Sequence, residues 1–109
     1  MRRRGYLSFI CAVIALMLLS GCTASRNLSR GVDHMRSGKF DEAIESFSRS
    51  LEANPDFSEA YYHRGNAYAM QKEFDKATTD FARAIALNPA YVDAYMARAV
   101  AFIEKGDQA

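Results

Sequence analysis

Few side chains in this 109-residue chain could do chemistry: two cysteines, Cys11 and Cys22, and two histidines, His34 and His63. A thiol can act as nucleophile or metal ligand and an imidazole as base or ligand, but only where the fold gathers them with supporting groups. The spacing shows no such gathering. Neither histidine stands at metal-ligand distance along the chain from a second histidine or cysteine, and neither a nucleophile elbow nor a glycine-rich phosphate loop occurs. The carboxylates are spread over polar faces. His34 falls on the core side of its segment. His63 falls on a side that is exposed or turned toward a neighbouring unit, and both read as structural. The sequence therefore predicts no catalytic residue, no metal and no cofactor, and directs attention to a surface.

Cys22 is the exception, because of what precedes it. Arg2, Arg3 and Arg4 make a basic start, Tyr6 to Leu19 is apolar except for Ser8, and Leu19-Ser20-Gly21-Cys22 follows. Basic, apolar and small residues in that order read as a secretory signal. The last four residues resemble the bacterial lipobox, which implies cleavage between Gly21 and Cys22 and a diacylglyceryl group on the Cys22 sulfur. The alternative is an uncleaved membrane helix, but the apolar run is shorter than the roughly 20 residues needed to span. Either way the arginines stay inside and the rest of the chain lies outside the cytoplasm. By resemblance to enterobacterial lipoproteins, Thr23 after the cysteine, in place of Asp, implies transfer to the periplasmic face of the outer membrane. Cys11 leaves with the signal and Cys22 is acylated, so the mature chain has no thiol for a disulfide or a metal site.

Charge narrows the choice of partners. Three of the 14 basic residues are Arg2 to Arg4, so the chain from Cys22 on carries 11 basic against 13 acidic side chains. Phosphate binding needs a concentrated positive surface, and nucleic acid is not the expected partner.

The elements that position any surface come from a repeat. Shifted by 34 residues without a gap, Phe40-Asp41 meets Phe74-Asp75, Ala43 meets Ala77, Phe47 meets Phe81, Leu51 meets Ile85 and Asn54-Pro55 meets Asn88-Pro89. Gly31 meets Gly65. Such a period marks a helical array whose units bury their apolar faces against one another. Asn-Pro closes a helix because proline disfavours helical geometry in the residue before it. Asp41, Ser58 and Asp75 are expected N-caps. Helices are expected at about 25–37, 41–53, 58–71, 75–87 and 92–105, with breaks at Ser37-Gly38-Lys39 and Lys72-Glu73. Tyr61, Gly65 and Tyr68 share one face, and glycine between two aromatics admits the partner helix closely. Ala77, Phe81 and Ala84 repeat the device on the next helix.

Tyr61, Arg64, Gly65 and Tyr68, then Ala77, Phe81 and Pro89, resemble the tetratricopeptide repeat. The resemblance implies an all-α solenoid of helical hairpins, about two and a half units long. Its divisions are a signal peptide over 1–21, a lipidated tether over 22–24, a degenerate first unit over 25–57, a full second unit over 58–91, and the first helix of a third over 92–109. In the first unit Asn27 and His34 stand where aromatics are usual, and Ser50 replaces an alanine. Leucine is usual where Arg30, Arg64 and Arg98 stand; their long stems are expected to cover apolar surface with the charge in water. In this family the first helices line a concave groove. Carried over residue by residue, that face holds Leu28, Val32, Met35 and Arg36, then Glu59, Tyr62, Asn66, Ala69 and Met70, then Asp93, Met96, Val100 and Ile103. Tyrosine and methionine suit adaptable contacts, and Asn66 suits a peptide amide.

The resulting expectation is a lipid-anchored, non-catalytic scaffold that binds a protein or peptide in the bacterial envelope. A pilotin-like factor for a secretin or pilus system and a regulator of a cell-wall enzyme are the narrower alternatives. One subfamily binds acidic C-termini through lysine and asparagine on this face. Leu28, Val32, Tyr62, Met96 and Val100 occupy it here, with Glu59 and Asp93, so an apolar or basic ligand is expected. The last helix is apolar with Tyr95, Met96, Val100, Phe102 and Ile103, whereas a terminal helix needs a polar outer face. Three explanations stand open: a longer array that begins again at Gly106-Asp107-Gln108-Ala109, a partner or second copy over this helix, or a short domain without either.

Overall fold

A computed structural model describes residues 2–107, with side chains from Gly5 onward. The described residues form five helices: α1 Arg2–Arg36, α2 Phe40–Ala53, α3 Ser58–Met70, α4 Phe74–Leu87 and α5 Val92–Asp107. α1 pairs with α2 and α3 with α4; α2 packs on α3, and α5 closes against α4 and α3. This is the expected all-α hairpin solenoid. The 34-residue register carries through to the helix starts, since Phe40 and Phe74 open α2 and α4, and Ser58 and Val92 open α3 and α5.

The turns follow from local chemistry. Asn54 and Asn88 end α2 and α4 as expected, and each side-chain oxygen accepts a bond from the backbone N–H two residues on, at Asp56 and Ala90. The hairpin turns need one residue in the left-handed region. Gly38 takes it at φ +73° without steric cost, and Lys72 takes it at the equivalent place with φ +62°. The N-caps differ from expectation. Lys39, Phe57 and Glu73 occupy the cap positions and none bonds through its side chain. Asp41 and Asp75 sit inside the first turn, where their charge favours the positive end of the helix.

Ser58 joins two helices instead of capping one. Its hydroxyl donates to the carbonyl of Ala84, 3.0 Å away. Ser50 does the mirror of this in the first unit, donating to the carbonyl of Ala24 at 2.7 Å. Positions 24 and 58 correspond in register, as do 50 and 84, so serine and alanine have changed places between the two units. That explains the serine where the repeat usually has alanine: Ser50 is fully buried but bonded.

Each core is assembled from three helices. In the first, Phe47 of α2 lies against Gly31 of α1 and Ala67 of α3; in the second, Phe81 of α4 lies against Gly65 of α3 and Ala101 of α5. Both phenylalanines are almost wholly buried. A Cβ at Gly65 would stand 2.6 Å from Phe81 Cε1, and one at Gly31 would overlap Phe47 as well, so both sites require glycine for close approach. α5 is thus the lid of the second core, a role that its place as half a unit in the repeat did not show.

Arg64 does not keep its charge in water. It donates two bonds of 2.8 Å to the carboxylate of Asp80, which is 5% exposed, and a third to Ser48 at 3.2 Å. Its guanidinium also lies over the rings of Tyr61 and Tyr68. Hydrogen bonding to Asp80 raises its pKa against the opposing effect of burial. One side chain of α3 therefore ties α2 to α4. Arg30 is exposed, and Arg98 lies over the Tyr95 ring.

The N-terminal residues continue into the first helix of the array. α1 runs unbroken from Arg2, and its first buried residue is Ala24. Up to Thr23 the described side chains are exposed, Val13 partly so. Residues of Gly5–Arg36 make a helix long and apolar enough to cross a membrane, a property that signal sequences near an N-terminus share. At the other end α5 continues through Gly106, where a turn was expected; Gln108 and Ala109 lie outside the described residues.

His63 lies between the units, stacked on Phe47 with ring centroids 5.7 Å apart. Burial lowers its pKa from the ordinary 6.5, with Glu59 acting weakly the other way. His34 is half-buried on α1.

Two tests follow from this packing. Alanine is a better helix former than glycine, yet Gly65→Ala is expected to cost about 1–3 kcal/mol, the usual range for overpacking. The double variant Gly65→Ala/Phe81→Leu is expected to recover much of that in thermal denaturation followed by circular dichroism. For His63, the folded state resists a proton that the unfolded state accepts below pH 6.5. Stability is therefore complete above that pH and declines as pH falls, by no more than about 1.4 kcal/mol per pH unit for one group. Urea unfolding at pH 7.5 and 5.5 checks this, and His63→Phe is expected to reduce the difference.

Candidate peptide-binding groove

The first helices of the pairs, α1, α3 and α5, border a hollow of about 450 Å3. Among the expected residues, Met35, Asn66, Ala69, Met70 and Val100 line this hollow together. They come from three helices, so the site exists only in the assembled array. Its floor is the ring of Phe81, with Ala97 and Ala101 beside it. Small residues on α5 keep the hollow open where larger side chains would fill it.

The other expected residues are placed differently. Leu28 and Val32, with Met35, are packed against the first core, so Leu28 and Val32 serve packing more than contact. Tyr62 packs on the second core, and its ring lies 5.0 Å from Tyr91, 5.2 Å from His63 and 6.1 Å from Phe81. Tyr62 is a structural aromatic and does not line the hollow. Arg36, Glu59 and Asp93 are exposed, as are Met96 and Ile103 at 63% and 65%. None of these five lines the hollow.

Sequence reasoning missed Glu104 and Phe81. Glu104 stands one helical turn after Val100 and was legible from that spacing, but attention to apolar residues passed over it. Phe81 was assigned wholly to the core, and it is 1% exposed; only the narrow approach of α3 and α5 makes it a floor. Tyr91 was also missed. It precedes α5, and burial together with Glu59 pushes its pKa up to about 12. It therefore stays a neutral hydrogen-bond donor beside Tyr62 across the physiological range.

Glu104 is the one charged side chain lining the hollow among the described residues; Glu59 and Asp93 are exposed near the starts of α3 and α5. The chemistry on offer is an apolar floor, a neutral amide from Asn66 that can both donate and accept, and negative charge at the edge. A larger hollow of about 520 Å3 lies elsewhere, between Val13, Leu16, Met17, Ser20 and Gly21 of α1 and the end of α2 at Ala53 and Asn54. Residues before Cys22 build most of it. The Cys22 thiol is exposed, two residues before the first buried side chain.

Comparison with known proteins agrees with this architecture. A tetratricopeptide repeat family description matches residues 28–78, and a second TPR repeat description matches residues 65–106. Comparison with curated proteins returns no match. Among solved structures, the first TPR of Spaghetti (RPAP3) bound to the HSP90 peptide SRMEEVD is 30% identical, with a TM-score of 0.77, over 80% of this chain and 71% of that one. The second TPR of the same protein, bound to the same peptide, is 27% identical with a TM-score of 0.75, over 78% and 79%. The MamA protein is 26% identical with a TM-score of 0.75; 77% of this chain matches 46% of that one. The shared period, the glycine-seated phenylalanines and these matches lead to one conclusion: the chain belongs to the tetratricopeptide repeat family.

Proposed function

We propose that this chain is a non-catalytic interaction module, held at a membrane by a lipid on Cys22, that binds an apolar or basic peptide segment of a partner protein. The observation that carries the binding reading is the groove built by Met35, Asn66, Ala69, Met70 and Val100 from three helices. The similar TPR domains of Spaghetti, which are bound to a peptide, support a peptide-binding role. Their ligand SRMEEVD is acidic, and an acidic segment needs cations to meet it. In this chain Glu104 lines the hollow and no lysine or arginine does, so a basic or apolar segment suits that field better.

The anchor reading rests on Leu19-Ser20-Gly21-Cys22, on the exposed thiol, and on the apolar leader before it. Only Thr23 separates Cys22 from the buried Ala24. The array then lies within about 10 Å of the lipid at extended-chain reach. A groove held that close to a bilayer favours partners in the bacterial envelope, at the periplasmic face of the outer membrane. Such a module could assemble a complex there, as a pilotin-like factor or a regulator of a cell-wall enzyme would.

The two parts are tested apart. Cys22→Ala is expected to abolish incorporation of labelled fatty acid and to change the electrophoretic mobility of the processed chain; retained label contradicts the anchor. Selection from a peptide library is expected to enrich basic and apolar sequences over acidic ones. Val100→Asp is expected to weaken the selected peptides at least tenfold with little change in melting temperature, since Val100 is half exposed. Unchanged affinity contradicts the groove.

A further inference from the structure

We infer that the outward face of α1 is a membrane-docking surface, which lays Arg26 and Arg30 on the anionic phospholipid headgroups of the bilayer that holds Cys22. This rests on the lipid anchor proposed for Cys22 and is independent of the groove. At the helical step of about 100° per residue, Cys22, Arg26, Ser29, Arg30, Asp33 and Arg36 fall within an arc of roughly 120°. All six are exposed. Arg26 stands about 6 Å along the helix from Cys22, and Arg30 about 12 Å. Asp33 is met by Arg36, 3.9 Å away. Arg26 and Arg30 have no carboxylate partner among the described residues.

The residue types on this face are wrong for taking another repeat. Arg26, Ser29, Arg30 and Asp33 correspond in register to Ala60, His63, Arg64 and Ala67 of α3, and to Ala94, Ala97, Arg98 and Ala101 of α5. In α3 and α5 that side meets the preceding helix. Ala67 shares a core with Phe47 of α2, and Ala101 shares one with Phe81 of α4. Ala60 and Ala94 are fully buried. α1 puts an arginine in place of the first alanine and an aspartate in place of the last. A phenylalanine cannot seat on that pair without burying a charge. Arg64 is accommodated at the equivalent place because Asp80 and Ser48 bond to it. The α1 face is therefore suited to a polar, hydrated neighbour.

Charge and position select the bilayer as that neighbour. From Cys22 to Ser37 the chain carries three arginines and one aspartate. α2 carries Asp41, Glu42, Glu45 and Glu52 against Arg49 alone. The turn between α2 and α3 also lies beside the anchor, since Ser50 bonds to Ala24, and Ala53 and Asn54 stand near Ser20 and Gly21. Glu52 and Asp56 are exposed there. An anionic surface thus repels α2 and the helix ends and attracts the side of α1. Each arginine near such a surface contributes roughly a fivefold preference, so the pair favours this orientation on the order of 30-fold over one that lifts both into water. The array then stands on its first helix, with α3 and α5 at successively greater height.

The test uses the processed, lipidated chain on vesicles, with a fluorophore on one introduced cysteine and a quencher on the lipid headgroups. Ser37→Cys marks the far end of the α1 face. Ala90→Cys marks the turn between α4 and α5, the equivalent of Asp56 one unit on. Both positions are exposed. On vesicles of phosphatidylglycerol and phosphatidylethanolamine, the Ser37→Cys probe is expected to be quenched about twofold or more over the Ala90→Cys probe. Arg26→Glu/Arg30→Glu is expected to abolish that difference, while flotation with the vesicles and the helical circular dichroism spectrum stay unchanged. Vesicles of phosphatidylcholine alone are expected to abolish it as well. Equal quenching, or stronger quenching of the Ala90→Cys probe, on a chain that floats overturns the inference and leaves the anchor standing. So does a difference that survives Arg26→Glu/Arg30→Glu or persists on phosphatidylcholine. A chain that floats with neither kind of vesicle overturns the anchor and this inference together.

Discussion

The fold depends on a phenylalanine seated on a glycine and covered by the next unit. Phe47 on Gly31 and Phe81 on Gly65 bring paired helices together without a Cβ between them. Neither core is complete within its own 34 residues. Ala67 of the second unit closes the first core and Ala101 of α5 closes the second. This is why a short repeat cannot stand alone, and why the array is built as overlapping triads of helices rather than as successive hairpins. The groove is a consequence of the same constraint, because its floor, Phe81, is held between α3 and α5.

Polar groups fix the stagger that apolar packing alone leaves loose. Arg64 joins Ser48 of α2 to Asp80 of α4, and the serine bonds to the Ala24 and Ala84 carbonyls pin each helix pair at one end. Buried hydrogen bonds contribute little net free energy when satisfied but cost much when broken, so they act chiefly against alternative registers. The exchange of serine and alanine between the two units shows one contact kept by either of two side chains.

Much of this was legible in the sequence. The period, the helix ends at Asn54 and Asn88, and the close approach at Gly65 depend on local chemistry and fixed spacing, and each was found where expected. What failed did so for tertiary reasons. Leucine's usual place at Arg64 suggested a snorkelling stem, because no sequence pattern announces a carboxylate 16 residues away. Leu28, Val32 and Tyr62 matched the face that lines the groove, yet a half-turn of helix decides between packing and exposure, and neighbouring helices set it. Glu104 was missed because a binding surface was sought among apolar residues. Asp41, Ser58 and Asp75 looked like caps by type, but the chain enters each helix at a different residue from the one their spacing suggested.

The central claim is that the face formed by α1, α3 and α5 is where this array meets its partner. Titration of the 15N-labelled, processed chain with a library-selected basic or apolar peptide tests it most directly. The amide signals of Met35, Asn66, Ala69 and Val100 are predicted to shift together and saturably, while those of Lys76 and Arg83 on α4 stay in place. Shifts confined to α2 and α4, with the amides of that face unmoved, would contradict the account.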